Sequence, residues 1–416
     1  MKKRTQAMLW MIKLSIFLNY FIFAILLNSV GTVILQVQHT YGVDESAAGI
    51  LEAFKDLSIA ITSFAVSSFV VRIGYKPTML FALAFVAAVC LAMPQVPSFW
   101  MTKLLFAAIG VGFALIKVSV FASLGLVTRT KEEHASTMNF VESFFMIGVL
   151  SGYFIFSSFV DDENPASLAW LNVYYVLAAL CALAFILLLF VPIDESEAQK
   201  GGADSLADNF VQMLRLCLET KVVLFVMGTF LYVLIEQSIM TWLPTFNNRI
   251  LNMSPSLSIQ VTSILAASTA AGRFAAGFVL NRVEWLKFLL MCLFGAALLV
   301  VLALPLAQNS GTEVIDSWLE APLAAFLFPL IGMCIAPIYP AINSLMLSAL
   351  PKNRHASMAG LIVVFSALGG TLGSILTGLM FRHFDGVTAF YSSLIPMLAV
   401  AIVLTLFKRQ PDPTWV

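Results

Sequence analysis

The sequence predicts an all-α integral membrane protein, with twelve transmembrane helices in two pseudo-symmetric six-helix halves. Three observations lead there. The chain of 416 residues is 60% hydrophobic and only 11% charged, with a mean hydropathy of +0.94. Soluble domains run near ~45–50% apolar and ~25% charged, and could not hide this much apolar surface from water. The apolar residues fall into runs of transmembrane length. Finally, the basic residues fall overwhelmingly on one side of those runs.

A helix of about twenty apolar residues crosses the ~30 Å hydrocarbon core of a bilayer. Such runs occupy 8–37, 47–71, 77–96, 98–128, 137–161, 168–193, 222–248, 258–281, 285–307, 320–348, 356–382 and 387–408. Each is expected to be helical even where Gly or Pro interrupts it, because only a helix satisfies its own backbone in lipid. The opening Met1-Lys2-Lys3-Arg4 precedes the first run with no small-residue cleavage site, and this reads as a retained span. Between the sixth and seventh runs lies a polar, acidic, Gly-containing stretch. It divides the chain into a first half (1–193), a linker (194–221) and a second half (222–416).

With the N-terminus inside, 17 of the 23 Lys and Arg residues are cytoplasmic. Only Lys103, Arg249 and Arg382 fall outside, while Lys55, Lys117 and Arg273 lie within spans. The bias fits the positive-inside rule, so both termini of a multi-pass inner-membrane protein are expected in the cytoplasm. The halves also repeat. His134-Ala135-Ser136 opens the fifth span and His355-Ala356-Ser357 the eleventh, 221 residues later. At the same offset Gly148 matches Gly369 and Gly152 matches Gly373, giving two small-xxx-small faces for close helix packing. A six-plus-six chain with similar halves resembles the architecture of the major facilitator superfamily, which implies a site near the bilayer midplane.

Charge inside a span costs at least ~2.5–3.5 kcal/mol, so each such residue needs an inward position and a partner or a task. Glu236 stands near the middle of the seventh span, with Tyr232 one turn before it and Gln237 beside it. A hydroxyl, a carboxyl and an amide are offered together, and desolvation favours the neutral form of a carboxyl. Glu236 is therefore either a proton carrier or a structural ion pair with Arg273 of the eighth span. Lys117, in the long fourth span, is either a substrate ligand or the counter-ion of Glu142 or Asp56. Glu52, Lys55 and Asp56 share one end of the second span and can neutralise one another. Glu142, close to the cytoplasmic end of the fifth span, suits a gate or charge network. Asn19, Tyr20, Asn28, Asn139 and Asn343 are candidates either for lining a polar cavity or for joining helices. Trp242 stands six residues after Glu236, where a ring stacks on a sugar or anchors at an interface.

Several short stretches carry a resemblance. Gln237 to Pro244 with its Trp-Leu-Pro, Gly272-Arg273-Phe274 and Glu142-Ser-Phe-Phe are similar to the fucose–galactose–glucose:proton symporters of the major facilitator superfamily. The superfamily's loop signature between spans two and three survives as Arg72-Ile-Gly74-Tyr-Lys76-Pro, without its usual acid. The resemblance implies the major facilitator fold and transport by alternating access. It does not carry over the fucose permease acids of the first and fourth helices. No acid stands between Asn28 and Thr32, and Lys117 takes the place of the fourth-helix acid. A coupling carboxyl must then lie elsewhere, with Glu236 the first choice, and a basic group opens the site to anionic solutes. Gly148-Val-Leu-Ser-Gly152 lacks the proline of the antiporter motif, which favours uptake.

The expected function is proton-coupled uptake of a sugar or sugar acid, with a proton-antiport exporter or a small organic anion transporter as the alternative. The proton gradient is the expected driving force, with no cofactor and no metal. The expected partners are a small-molecule substrate, the proton and the bilayer; no nucleic acid partner is expected, and a monomer is. Catalytic chemistry is not expected. The four His stand near span ends, and the five Cys form no CxxC pair, with four of them inside apolar runs.

Overall fold

The structure, a computed structural model, describes residues 2–127, 131–191, 215–280, 282–307, 313–348 and 355–410. The apolar runs are helical in their described residues. Among the described residues nine helices are long and apolar enough to cross a membrane. The other three runs are the second span, Ile50–Ile73, the fifth, Lys131–Ser157, and the eighth, Pro255–Val279. The second carries three charges in five residues, and the eighth is rich in Ser and Thr and includes Arg273. In the fifth the apolar stretch described is the shorter Phe144–Ser157.

The first span is two helices, Lys2–Asn28 and Val30–Tyr41. The Asn28 amide donates to the Ala24 carbonyl at 2.9 Å, and the Ser29 hydroxyl to that of Leu26 at 2.8 Å. Side chains that bond back to the preceding turn compete with the helical ladder, which accounts for the break at Ser29. The tenth span is broken more thoroughly, into Leu323–Leu327, a 3-10 turn at Phe328–Leu330, Ile331–Ile335 and Ile338–Ser348. Pro329 and Pro337 lack a donor and stand at the breaks, while Pro340 falls in the first turn of the last piece, where a donor is not needed. Pro244, by contrast, lies inside the unbroken seventh span, Thr220–Arg249.

The chain forms two compact units. Unit 1 comprises Met1–Val30, Phe54–Phe159 and Leu168–Leu206; unit 2 comprises Gly31–Ala53, Val160–Ser167 and Ala207–Val416. In unit 1 the first span packs on the fourth (Phe99–Val127), the fifth and the sixth (Val173–Phe190). The third (Tyr75–Ala92) packs on the fourth and sixth. In unit 2 the seventh span packs on the tenth, the eleventh (His355–His383) and the twelfth, Gly386–Tyr391 with Leu394–Arg409. The ninth (Trp285–Ala307) packs on the tenth and twelfth. Each unit thus contains the same pattern of neighbours. Within unit 1 Lys76 reaches the end of the sixth span, donating to the carbonyls of Leu189 (3.0 Å) and Val191 (2.7 Å). These are carbonyls that a helix end leaves without an intrahelical partner.

The glycines repeated in the sequence are the points of closest approach. A Cβ on Gly148 would stand 2.5 Å from the Phe21 carbonyl oxygen, and one on Gly369 would stand 2.3 Å from that of Phe230. Gly373 meets the Leu234 carbonyl at 2.4 Å, while Gly152 has ordinary contact with Ile25 at 3.4 Å. The fifth span therefore lies on the first as the eleventh lies on the seventh. The repeat seen in the sequence is a repeat of contacts.

Candidate functional site

Among the described residues, a set of polar side chains well inside the spans lies in unit 2, around Glu236. This residue stands sixteen positions after Thr220 and thirteen before Arg249, near the middle of the seventh span. Tyr232, one turn earlier, donates its hydroxyl to Glu236 Oε1 at 2.8 Å. Arg273 Nη2 approaches the same oxygen at 3.5 Å. The Tyr232 ring stacks on Tyr339 of the tenth span, with centroids 5.5 Å apart. The Tyr339 hydroxyl lies 3.4 Å from Ser366 Oγ of the eleventh span and is hydrogen-bonded to Asn343, one turn along its own helix. Asn343 Oδ1 is buried with no hydrogen-bond partner. Gln237 is half-buried beside Glu236.

The carboxylate and the guanidinium meet at one atom pair instead of as a bidentate fork, and their side chains are 20% and 42% exposed. The contact is single and long, so the carboxylate is held chiefly by the Tyr232 hydroxyl. The contacts described for Glu236 engage its Oε1, from Tyr232 and from Arg273. A carboxyl, a guanidinium, phenols and an amide in one cluster are the groups that hydrogen-bond solute hydroxyls, while Tyr232 itself is fully buried.

Unit 1 holds a different arrangement. Lys117 Nζ lies 5.7 Å from the Phe113 ring centroid and 6.0 Å from that of Phe121, within the range of cation–π attraction. Tyr20 contacts Phe113, Phe121 and Phe145 at centroid distances of 6.2, 5.9 and 5.0 Å. Asp56 is buried and pairs with Lys55 at 3.5 Å. Asn28 is half-buried and bonded to its own helix, as is the fully buried Asn19. The side chains of Asn139 and Glu142 lie outside the described residues. In unit 2, Trp242 is fully buried. Its indole N–H donates to the Ser374 carbonyl at 2.9 Å and its ring stacks on Phe381 at 5.2 Å. The ring is open neither to a solute nor to an interface. Glu52 is equally buried and accepts a hydrogen bond from the Thr241 hydroxyl at 3.1 Å.

Residues 16–374 match the sequence profile of the Major Facilitator Superfamily. The chain belongs to that superfamily. Its members are membrane transporters, so the chain is a transporter and not an enzyme. Part of it is 26% identical to the glucose/mannose transporter GlcP of Bacillus subtilis (strain 168) over 266 residues. That match covers 59% of this chain and only 58% of GlcP. Solved structures share the fold along almost the whole chain. The nucleoside transporter NupG superposes with a TM-score of 0.75 at 15% identity, covering 97% of this chain and 100% of NupG. A D-xylose-proton symporter gives 0.73 at 15% identity, with 97% and 98% covered. A bacterial homologue of the human lysosomal transporter Spinster gives 0.72 at 14%, with 95% and 94% covered.

The superfamily's internal repeat lets the two clusters be compared position by position. The glycine contacts pair Phe21 with Phe230 and Ile25 with Leu234, both 209 residues apart. Gly110 rests on Lys55 and Ser58 of the second span as Gly332 rests on Leu265 and Ser268 of the eighth. By these registers Phe23 corresponds to Tyr232, Leu27 to Glu236, Lys117 to Tyr339, Phe121 to Asn343 and Phe145 to Ser366. The same framework carries hydrogen-bonding groups in one half, and aromatic rings around a single lysine in the other. Tyr339 and Ser366 were not singled out by sequence reasoning. The Tyr339–Asn343 spacing of one helical turn was the available signal; nothing local marked Ser366.

Proposed function

We propose that this chain is a proton-coupled secondary transporter that takes up a sugar or sugar acid by alternating access. The observation that carries the reading is the Tyr232–Glu236–Arg273 cluster. It is a carboxyl in the middle of a span, held by a phenol and loosely matched by a guanidinium. A solute that hydrogen-bonds best to the protonated carboxyl makes binding of the solute and of the proton mutually favourable, which is the link that symport requires. The partial match to GlcP and the fold shared with a D-xylose-proton symporter support the sugar class. We further infer that the protein lies in the inner membrane with both termini cytoplasmic, on the strength of the basic residues at one side of the spans.

The test is solute uptake into proteoliposomes with a lumenal pH dye, against sugars and uronic acids. Accumulation driven by an inward proton gradient, with lumenal acidification on solute addition, is the expected result. Uptake indifferent to the gradient would remove proton coupling from the reading.

Lys117 between Phe113 and Phe121 favours acidic sugars among the candidate solutes, since an ammonium beside aromatic faces is well placed to meet a carboxylate. Lys117→Ala is expected to lose at least ten-fold in affinity for a uronic acid, about one charge-assisted hydrogen bond, and little for the neutral sugar. Lys117→Arg should keep part of it. Equal loss for both solutes, in protein that melts like wild type, would assign Lys117 to the fold and not to the ligand.

A further inference from the structure

The eighth span opens with Ser254, Pro255 and Ser256. The first donors of a helix have no intrahelical partner, and a serine at the N-cap ordinarily accepts from one of them. Ser254 has the backbone for that task, with φ −56° and ψ 153°, yet its side chain caps nothing. The residue is 3% exposed and its Oγ is buried with no hydrogen-bond partner. The Ser256 N–H donates instead to Asp162 Oδ1 at 2.9 Å, and the Ser256 hydroxyl donates to Asp162 Oδ2. Asp162 belongs to the loop between the fifth and sixth spans, 94 residues away in sequence. A helix with a correctly placed local cap is capped by a distant carboxylate.

We propose that Asp162 and Ser254 are alternative caps of the eighth span, exchanged as the transporter changes state. The proposal rests on the alternating-access reading above. In the state described here the carboxylate holds both Ser256 donors and benefits from the positive end of the helix. The idle Ser254 hydroxyl is the cost of this state, a buried polar group left unpaired. When loop 160–167 leaves, Ser254 Oγ takes over the Ser256 N–H. Asp162 then returns to water easily, because it is already exposed and borders a cavity of about 390 Å³ shared with His39, Glu163, Asn248 and Asp316. Neither state leaves the helix end bare. The exchange keeps the two states close in free energy, as a cycling protein requires.

The test uses spin labels at positions 164 and 313, in protein whose five cysteines are replaced by serine, with distances read by double electron–electron resonance. D162A is expected to raise the ratio of separated to close populations about five-fold, which is what loss of one N-cap corresponds to. S254A should lower that ratio. In the D162A background, where the separated state is populated, S254A should bring it back toward the wild-type value. No change on adding S254A to D162A, or a further rise, would overturn the exchange. Solute uptake by the unlabelled wild type is scored separately, so failure of the exchange is distinguishable from failure of the transport reading.

Discussion

Glu236→Gln protein is expected to exchange labelled solute across a vesicle membrane at close to the wild-type rate, and to fail to accumulate it. The accumulation ratio under an inward proton gradient should fall to about one, and lumenal acidification on solute addition should disappear. Glutamine keeps the shape of the protonated acid and still accepts the Tyr232 hydroxyl, so binding geometry survives while the titrating group is gone. The rival account makes Glu236 a structural partner of Arg273. Breaking a buried pair leaves an uncompensated charge at about 3–5 kcal/mol. This pair does not meet that description, because Arg273 is 42% exposed and the contact is a single one at 3.5 Å. In Glu236→Gln the amide oxygen still accepts from Tyr232 and can accept from Arg273, so both keep a hydrogen-bond partner. The variant should therefore fold, and the transport assay should be readable. Coupled proton flux at the wild-type level in Glu236→Gln would move the coupling group elsewhere.

Gly369→Leu is expected to have the largest effect on stability. A Cβ at Gly369 would stand 2.3 Å from the Phe230 carbonyl oxygen, and that oxygen is backbone in the middle of the seventh span. A flexible side chain could swing away; a helix backbone cannot, so the eleventh and seventh spans must separate. Overpacking of this type costs about 1–3 kcal/mol or more. It would also draw Ser366, less than one turn away, from Tyr339. A fall of several degrees in melting temperature and a matching loss of solute binding are the expected result. Gly277→Ala is the control, since a Cβ there meets nothing within 4 Å. If the control fell as far as Gly369→Leu, the close approach would not be the cause.

Much of the fold is legible in the sequence because the bilayer imposes it. The apolar runs are helical among the described residues, with bounds off by a few residues, since hydropathy marks the lipid-facing stretch while a helix continues into its caps. The matched glycines were legible for the same kind of reason: small residues in a span exist to let something approach. The break at Ser29 was harder to see, because it depends on two side chains turning back onto their own helix. The fragmented tenth span was signalled by Pro329 and Pro337, and a hydropathy window passes over them.

The candidate site was only partly legible. Tyr232, Glu236 and Arg273 could be paired from the sequence because a midspan charge demands a partner and only adjacent spans are within easy reach. Tyr339 and Ser366 carry no charge, so no energetic penalty drew attention to them. Trp242 looked like an exposed ring from its place near a span end, and turned out to be buried against Ser374 and Phe381. Asp162 and Ser256 are 94 residues apart, and Glu52 and Thr241 are 189 apart. Contacts at that separation depend on how the chain closes on itself, which no local pattern encodes.

The helices of both units touch where glycine lets backbone meet backbone, and the side chains facing away from those contacts take almost no part in them. Shape and chemistry are thereby inherited separately. A duplicated ancestor could keep its glycines and let one copy acquire Glu236 while the other kept Leu27, or set Lys117 against Tyr339, without loosening either scaffold. If the transport reading holds, changes at the half-buried Leu27, Phe121 and Phe145 are expected to alter the solute taken with the glycine contacts in place, whereas the fully buried Phe23 packs against Gly112 and belongs to the scaffold.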